Sequence, residues 1–257
     1  MREFWFESEG TPLFAVEDGE GPVLVMLHGA LADHQAALPL IAPHSSRYRI
    51  IAPDLRGSGK SHCGEVLSFE RLVGDVEVLL DELGVDRAFV GGVSSGSGIA
   101  LSFALNRPSR IAGLALLRPV YAGEKRGYTE QQKASFEMMD AVAGRAVDEG
   151  VQVLCALYND LPSPMREKAL AMVEGFDAAS VVATSHFVAS GKQPFTSPAD
   201  LESLDLPVLL VRGDDPLHPA EVSDLYATNI LNCTEVASSA DATEAIGAFC
   251  DRHVRAT

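Results

Sequence analysis

Cysteine is sparse in this sequence, and the four present are unpaired by pattern. Cys63, Cys155, Cys233 and Cys250 form no C-x-x-C pair and no Cys/His spacing, so neither a zinc site nor a disulfide framework is indicated. No metal or organic cofactor is expected. Long apolar runs are lacking too, since none approaches the ~18 residues that a membrane span needs. Residues 1–7 lack the basic region and apolar stretch of a secretory signal. The expected compartment is therefore the cytoplasm, with no membrane partner. Positive charge is scarce: 20 Lys and Arg against 36 Asp and Glu leave a net charge of −16. That balance argues against nucleic acid, whose binding depends on cationic contacts to phosphate, and is read as a solubility device.

What is present is enough apolar material for a sizeable core, 47% of 257 residues, suiting one large domain or two small ones. Short β-branched runs at residues 23–27, 48–52, 88–91, 111–117 and 208–211 are bounded by turn residues. Such continuous runs suit a parallel sheet buried on both faces. Between them lie helical patterns. In residues 69–83, Leu72, Val73, Val76, Leu79, Leu80 and Leu83 fall on one face. Alternating strand and helix predicts an α/β architecture. From about 121 to 199 the alternation stops, and helices are expected at 129–148, 151–158, 165–176 and 178–189. This interval reads as a helical cap inserted before the late strands, leaving residues 1–120 and 200–257 as the core.

Residues 92–96 read G-x-S-x-G directly after the run at 88–91. A strand entering a helix through so tight a turn lifts one serine out of the sheet, and the flanking glycines allow the close approach. Leu27-His28-Gly29, the stretch 53–61 (PDLRGSGKS), 107–111 (RPSRI) and 206–216 (LPVLLVRGDDP) accompany it in order. In these landmarks the chain resembles the α/β-hydrolase superfamily over nearly its whole length. The resemblance implies the α/β-hydrolase fold, with a mostly parallel central sheet flanked by helices. It also implies Ser94 as nucleophile, oxyanion donors at the backbone N–H groups of Ala30 and Ser95, and Asp215 as the acid that orients an imidazole. Asp214 is an immediate rival to Asp215. Residues 57–61 end like a phosphate-binding loop, but Asp54 stands where that motif needs its first glycine.

The base is the irregular part. The family places a histidine after the last strand, expected at 234–237, and residues 238–241 (SSAD) contain none. His253 lies twelve residues beyond Asp241, about 18 Å along a helix at ~1.5 Å per residue, and is rejected. His44 precedes a strand and so sits at the wrong sheet edge. His34, His62 and His218 follow strands, and His186 comes from the cap. His218 is the most economical substitute, because its loop begins at Asp215. An ordinary loop histidine ahead of Pro219 is the blander reading, and the residues alone favour it. His28 reads as structural, and His34 and His186 as surface or packing residues.

The leading expectation is a serine hydrolase of a small, largely apolar ester, lactone or thioester, working through an acyl-enzyme on Ser94 with an atypical triad. A non-hydrolytic lyase or cyclase, and an inactive small-ligand-binding protein, stand beside it as readings that need no full triad.

Overall fold

The computed structural model describes residues 1–237 and 241–254. Six strands run parallel: β3 (Val23–Leu27), β4 (Arg49–Pro53), β5 (Ala88–Val93), β6 (Ile111–Leu117), β7 (Val208–Val211) and β8 (Cys233–Val236). Every residue of β3, β6 and β7 is buried, which is why these strands read as unbroken apolar runs. Burial of each Val or Leu is worth ~1.5–3 kcal/mol.

An antiparallel pair, β1 (Arg2–Ser8) and β2 (Thr11–Asp18), precedes them and joins the sheet through β4, giving the order β1-β2-β4-β3-β5-β6-β7-β8. This hairpin was not expected. Its edge strand β1 buries only Phe6 and Ser8 fully, so it offers no continuous run to find. A turn signal exists, however. Ser8 pairs with Thr11 across Glu9 and Gly10, both with positive φ, 49° and 74°, as a two-residue hairpin turn requires.

Helices cover both faces. Helices α2 (Phe69–Glu82), α3 (Ser95–Asn106), α8 (Pro198–Glu202) and α9 (Ala220–Asn229) build one core layer with residues such as Leu79, Phe103, Leu201 and Tyr226. On the other face, α1 (His34–Ile41) and α10 (Ala242–His253) pack Ile41, Ile246 and Phe249 against Met26 and Phe89. The fold class read from the sequence is the one observed.

Between β6 and β7 the chain forms α4 (Glu130–Ala143), α5 (Ala146–Glu149), a 3₁₀ stretch at Val151–Tyr158, α6 (Met165–Val173) and α7 (Ala178–Ala189). Two details differ from expectation. The helix expected over 129–148 breaks around Gly144, and the one expected over 151–158 is 3₁₀, entered through Gly150 at φ 88°. A glycine at that angle ends the preceding helix and resets the chain direction. Of the apolar residues in this interval, Phe136, Leu154, Phe187 and Phe195 are core, whereas Met138 is exposed. Side chains from the interval bond to loops of the sheet: Tyr158 Oη donates to the Leu31 carbonyl (2.7 Å) and Thr184 Oγ1 to that of Gly57 (2.8 Å).

Candidate active site

Ser94 caps the N-terminus of α3 at φ 55°, ψ −120°, a strained setting for a non-glycine residue that costs ~1–3 kcal/mol. Its neighbours make that setting compulsory. A Cβ on Gly92 would come 2.1 Å from the Gly96 carbonyl oxygen, and one on Gly96 would come 2.3 Å from that of His28. The strand and helix therefore close on each other only because both positions are glycine. Ser94 N–H donates to the Leu117 carbonyl at 2.9 Å, which ties the turn to β6.

The late strand delivers its partners. After β7, the Asp215 carboxylate accepts the backbone N–H groups of Leu217 (2.9 Å) and His218 (3.0 Å), forming a tight turn. That turn folds the imidazole back on its own acid, with His218 Nδ1 2.9 and 2.8 Å from the two carboxylate oxygens. Nε2 then lies 2.9 Å from Ser94 Oγ. With Nδ1–H donating to Asp215, Nε2 is the acceptor for the serine hydroxyl. The bond to His218 holds the Asp215 carboxyl down at about 2, against the opposing effect of burial. Of the two candidate acids, Asp215 is the one in contact with the imidazole. The structure thus brings Ser94, His218 and Asp215 together. The plain-loop reading of His218, favoured on the residues alone, does not describe this geometry.

Two residues that carried no role of their own in the sequence shape the surroundings of His218. Gly213 is one: a Cβ on it would lie 2.3 Å from the His218 carbonyl oxygen and 2.5 Å from its Cβ. Gln132, on α4 and fully buried, is the other. Its Nε2 donates to the carbonyls of Val120 and Leu217, both at 2.9 Å, and its Oε1 accepts Thr129 N–H at 3.1 Å. The amide thus straps the residue next to His218 to the segment that follows β6. A glycine ahead of the acidic turn was visible in the sequence, but nothing there pairs Gln132 with a turn 85 residues away.

His28 is structural and occupied at both nitrogens. Nδ1–H donates to the Gly29 carbonyl (2.7 Å) and Nε2 accepts Leu55 N–H (3.0 Å). Burial lowers its pKa further, so it stays neutral. Because a trans peptide points its C=O and N–H oppositely, this bond turns the Ala30 N–H away from His28. Ser95 opens α3, and an N–H in the first turn has no intrahelical acceptor. Both candidate oxyanion donors therefore belong to peptides fixed next to Ser94; a Cβ on Gly29 would sit 3.3 Å from Ser94 Cβ.

The other histidines are elsewhere. His34 Nδ1 bonds Asp54 Oδ1 at 2.7 Å, and Asp54 also accepts Lys60 N–H at 2.8 Å, so the phosphate-loop look-alike closes around a carboxylate. Asp33, His34 and Asp54 come within 4.8 Å of one another, and their oxygens are engaged in capping α1 and closing this loop. His44 donates to the Thr243 carbonyl, His186 and His62 are exposed, and His253 stacks near Phe249 on α10. Ser238, Ser239 and Ala240, in the segment where the family histidine was sought, lie outside the described residues.

A cleft of about 340 Å³ adjoins Ser94 at the C-terminal ends of the strands, on the α1/α10 side. Gly29, Val93 and Leu117, each touching or adjacent to Ser94, line it, as do Leu40, Val211 and Arg118. Arg118 is one of four non-glycine residues with positive φ among those described (49°).

Comparison with known proteins agrees with the fold. Epoxide hydrolase B of Mycobacterium tuberculosis (strain ATCC 25618 / H37Rv) is 29% identical over 230 residues, which cover 82% of this chain and 62% of that protein. The chain thus spans about three fifths of the length of that relative. A hydrolase from Pseudomonas aeruginosa PA01 superposes with a TM-score of 0.79 at 22% identity, covering 96% of this chain and 97% of the other. A thermophilic esterase from Thermogutta terrifontis does so at 0.78 and 22%, covering 98% and 100%. Among the described residues, no helix is long and apolar enough to cross a membrane. A family model for the alpha/beta hydrolase fold matches residues 22–239, and the chain belongs to that family.

Proposed function

We propose that this protein is a serine hydrolase of small carboxylic esters, lactones or thioesters, with residues 121–199 as its cap. One observation carries the reading: the unbroken hydrogen-bond chain from Ser94 Oγ through His218 to Asp215. In the reaction, His218 Nε2 takes the hydroxyl proton as Ser94 Oγ bonds to the carbonyl carbon. The tetrahedral oxyanion lies against the N–H groups of Ala30 and Ser95, each such donor being worth ~3 kcal/mol in the transition state. His218 then returns the proton to the departing alcohol or thiol, leaving an acyl-Ser94 ester. Water repeats the cycle and releases the acid.

Chemistry favours acyl transfer over the substrate named for the epoxide hydrolase relative. A serine oxygen opening an epoxide would leave an ether, which has no carbonyl for water to attack. An acyl ester on Ser94 can be hydrolysed. The lyase, cyclase and inactive-binder readings rested on a missing base, and no feature of the site favours them once His218 is in reach of both partners.

The test is a panel of p-nitrophenyl esters with intact-protein mass spectrometry. Turnover together with an acyl adduct mapped to Ser94 supports the proposal. A folded protein that neither turns over an ester nor accumulates an adduct would sink it.

A further inference from the structure

We infer that the cleft beside Ser94 receives the acyl chain of a substrate ending in a carboxylate, and that Arg118 is the residue that reads this carboxylate. The inference rests on the acyl-transfer reading above but makes a separate claim.

His218 lies in the turn just ahead of α9, and α9 packs into the layer of α2 and α3. The cleft opens on the opposite side, between α1 and α10. Neither His218 nor Asp215 lines the cleft, so the imidazole and an acyl chain held there do not compete for space. At about 340 Å³ the cleft has room for a short acyl chain. Leu40, Val93, Leu117 and Val211 give it aliphatic walls, suited to a short methylene chain.

Arg118 breaks that apolar lining. It sits at the end of β6, where its backbone N–H is fixed to the Val211 carbonyl at 2.8 Å. Its side chain is about half exposed, and Nη1 is 3.9 Å from Asp215 Oδ2. That separation makes an ion pair but is too long for a hydrogen bond, so among the described residues no acceptor is hydrogen-bonded to the guanidinium, and its N–H groups can take a bidentate carboxylate. A left-handed, non-glycine residue is costly to maintain, and such outliers gather at ligand sites. An ester of a dicarboxylic acid, with one end at Ser94 and the free end at Arg118, fits this layout.

The experiment pairs substrates that differ in one charge. The kcat/KM for mono-p-nitrophenyl glutarate is compared with that for p-nitrophenyl pentanoate, in wild type, Arg118→Ala and Arg118→Lys. In parallel, hexanoate and its neutral isostere hexanamide are titrated and followed by methyl NMR, which needs no turnover. The wild type should prefer the anionic ester and hexanoate by about 10- to 100-fold, as one charged hydrogen-bond pair provides. Arg118→Ala should collapse both preferences, chiefly through KM, and Arg118→Lys should restore part of them. Shifts should centre on Leu40, Leu117 and Val211. Equal handling of the charged and neutral members overturns the inference. So does a parallel loss on both esters with an altered pH profile, which would make Arg118 a positioning residue for Asp215. Ester turnover without charge preference defeats this inference alone. Charge-selective hexanoate binding without any turnover defeats the serine-hydrolase reading alone.

Discussion

Nε2 of His218 lies 2.9 Å from Oγ of Ser94, although 124 positions separate the two in the chain. The contact depends on a base held in the same turn as its acid, so residues that shape this turn should control reactivity.

Gly213 is the sharpest case. In Gly213→Ala the new methyl group would overlap His218 atoms at 2.3 and 2.5 Å, and the backbone oxygen among them cannot swing away. The turn must move, and a displacement of ~1 Å at a reacting group costs about 100-fold. Ester turnover should fall by that order while circular dichroism stays native. Wild-type rates in a folded Gly213→Ala protein would show that the turn is not constraining the base.

Gln132 should act on both stability and rate. Gln132→Leu leaves the buried Val120 carbonyl and the partly buried Leu217 carbonyl without their donor, at ~1–3 kcal/mol for the buried one. Denaturant melts should show that loss. At a temperature where the variant is folded, kcat should drop about tenfold or more through a mis-set His218. If stability falls and kcat per folded molecule does not, Gln132 is only structural.

The His34–Asp54 pair predicts a pH dependence of stability. Burial disfavours charge on His34, but the hydrogen bond and charge of Asp54 outweigh it and raise its pKa above 6.5. Burial also opposes charge on Asp54, yet His34 and backbone N–H groups hold its pKa below 3.8. The histidine contribution is complete below pH 6.5 and fades as pH rises through its raised value. The aspartate contribution is complete above 3.8 and fades as pH falls through its lowered value. Relative to His34→Gln, the wild type should therefore lose its stability advantage on the alkaline side. Melting temperatures from pH 5 to 9 measure this; a constant difference across the range would contradict the pairing.

How far the sequence could be read follows from which interactions are local. Buried strands such as β3 and β6 announce themselves as apolar runs, and the Gly92–Gly96 frame marks Ser94 because the turn imposes glycine at those positions. Asp215 was legible from its place after β7. Strand β1 was not, since a one-sided edge strand leaves alternation instead of a run, and the short buried run Leu13–Val16 of β2 went unread beside it. His218 was weighed as a base and judged the blander way, because whether an imidazole points inward depends on the turn closed by Asp215 Oδ1 and on the space at Gly213. Gln132 could not be found at all, since its partners are backbone carbonyls that any sequence supplies.

The most direct test of the Ser94–His218–Asp215 assignment is the rate at which a fluorophosphonate modifies the protein, with the modified residue mapped by mass spectrometry. The account predicts modification at Ser94, none in Ser94→Ala, a rate at least ~100-fold lower in His218→Ala, and an unchanged rate in His253→Ala. Modification of His218→Ala at the wild-type rate, or at a residue other than Ser94, would contradict it.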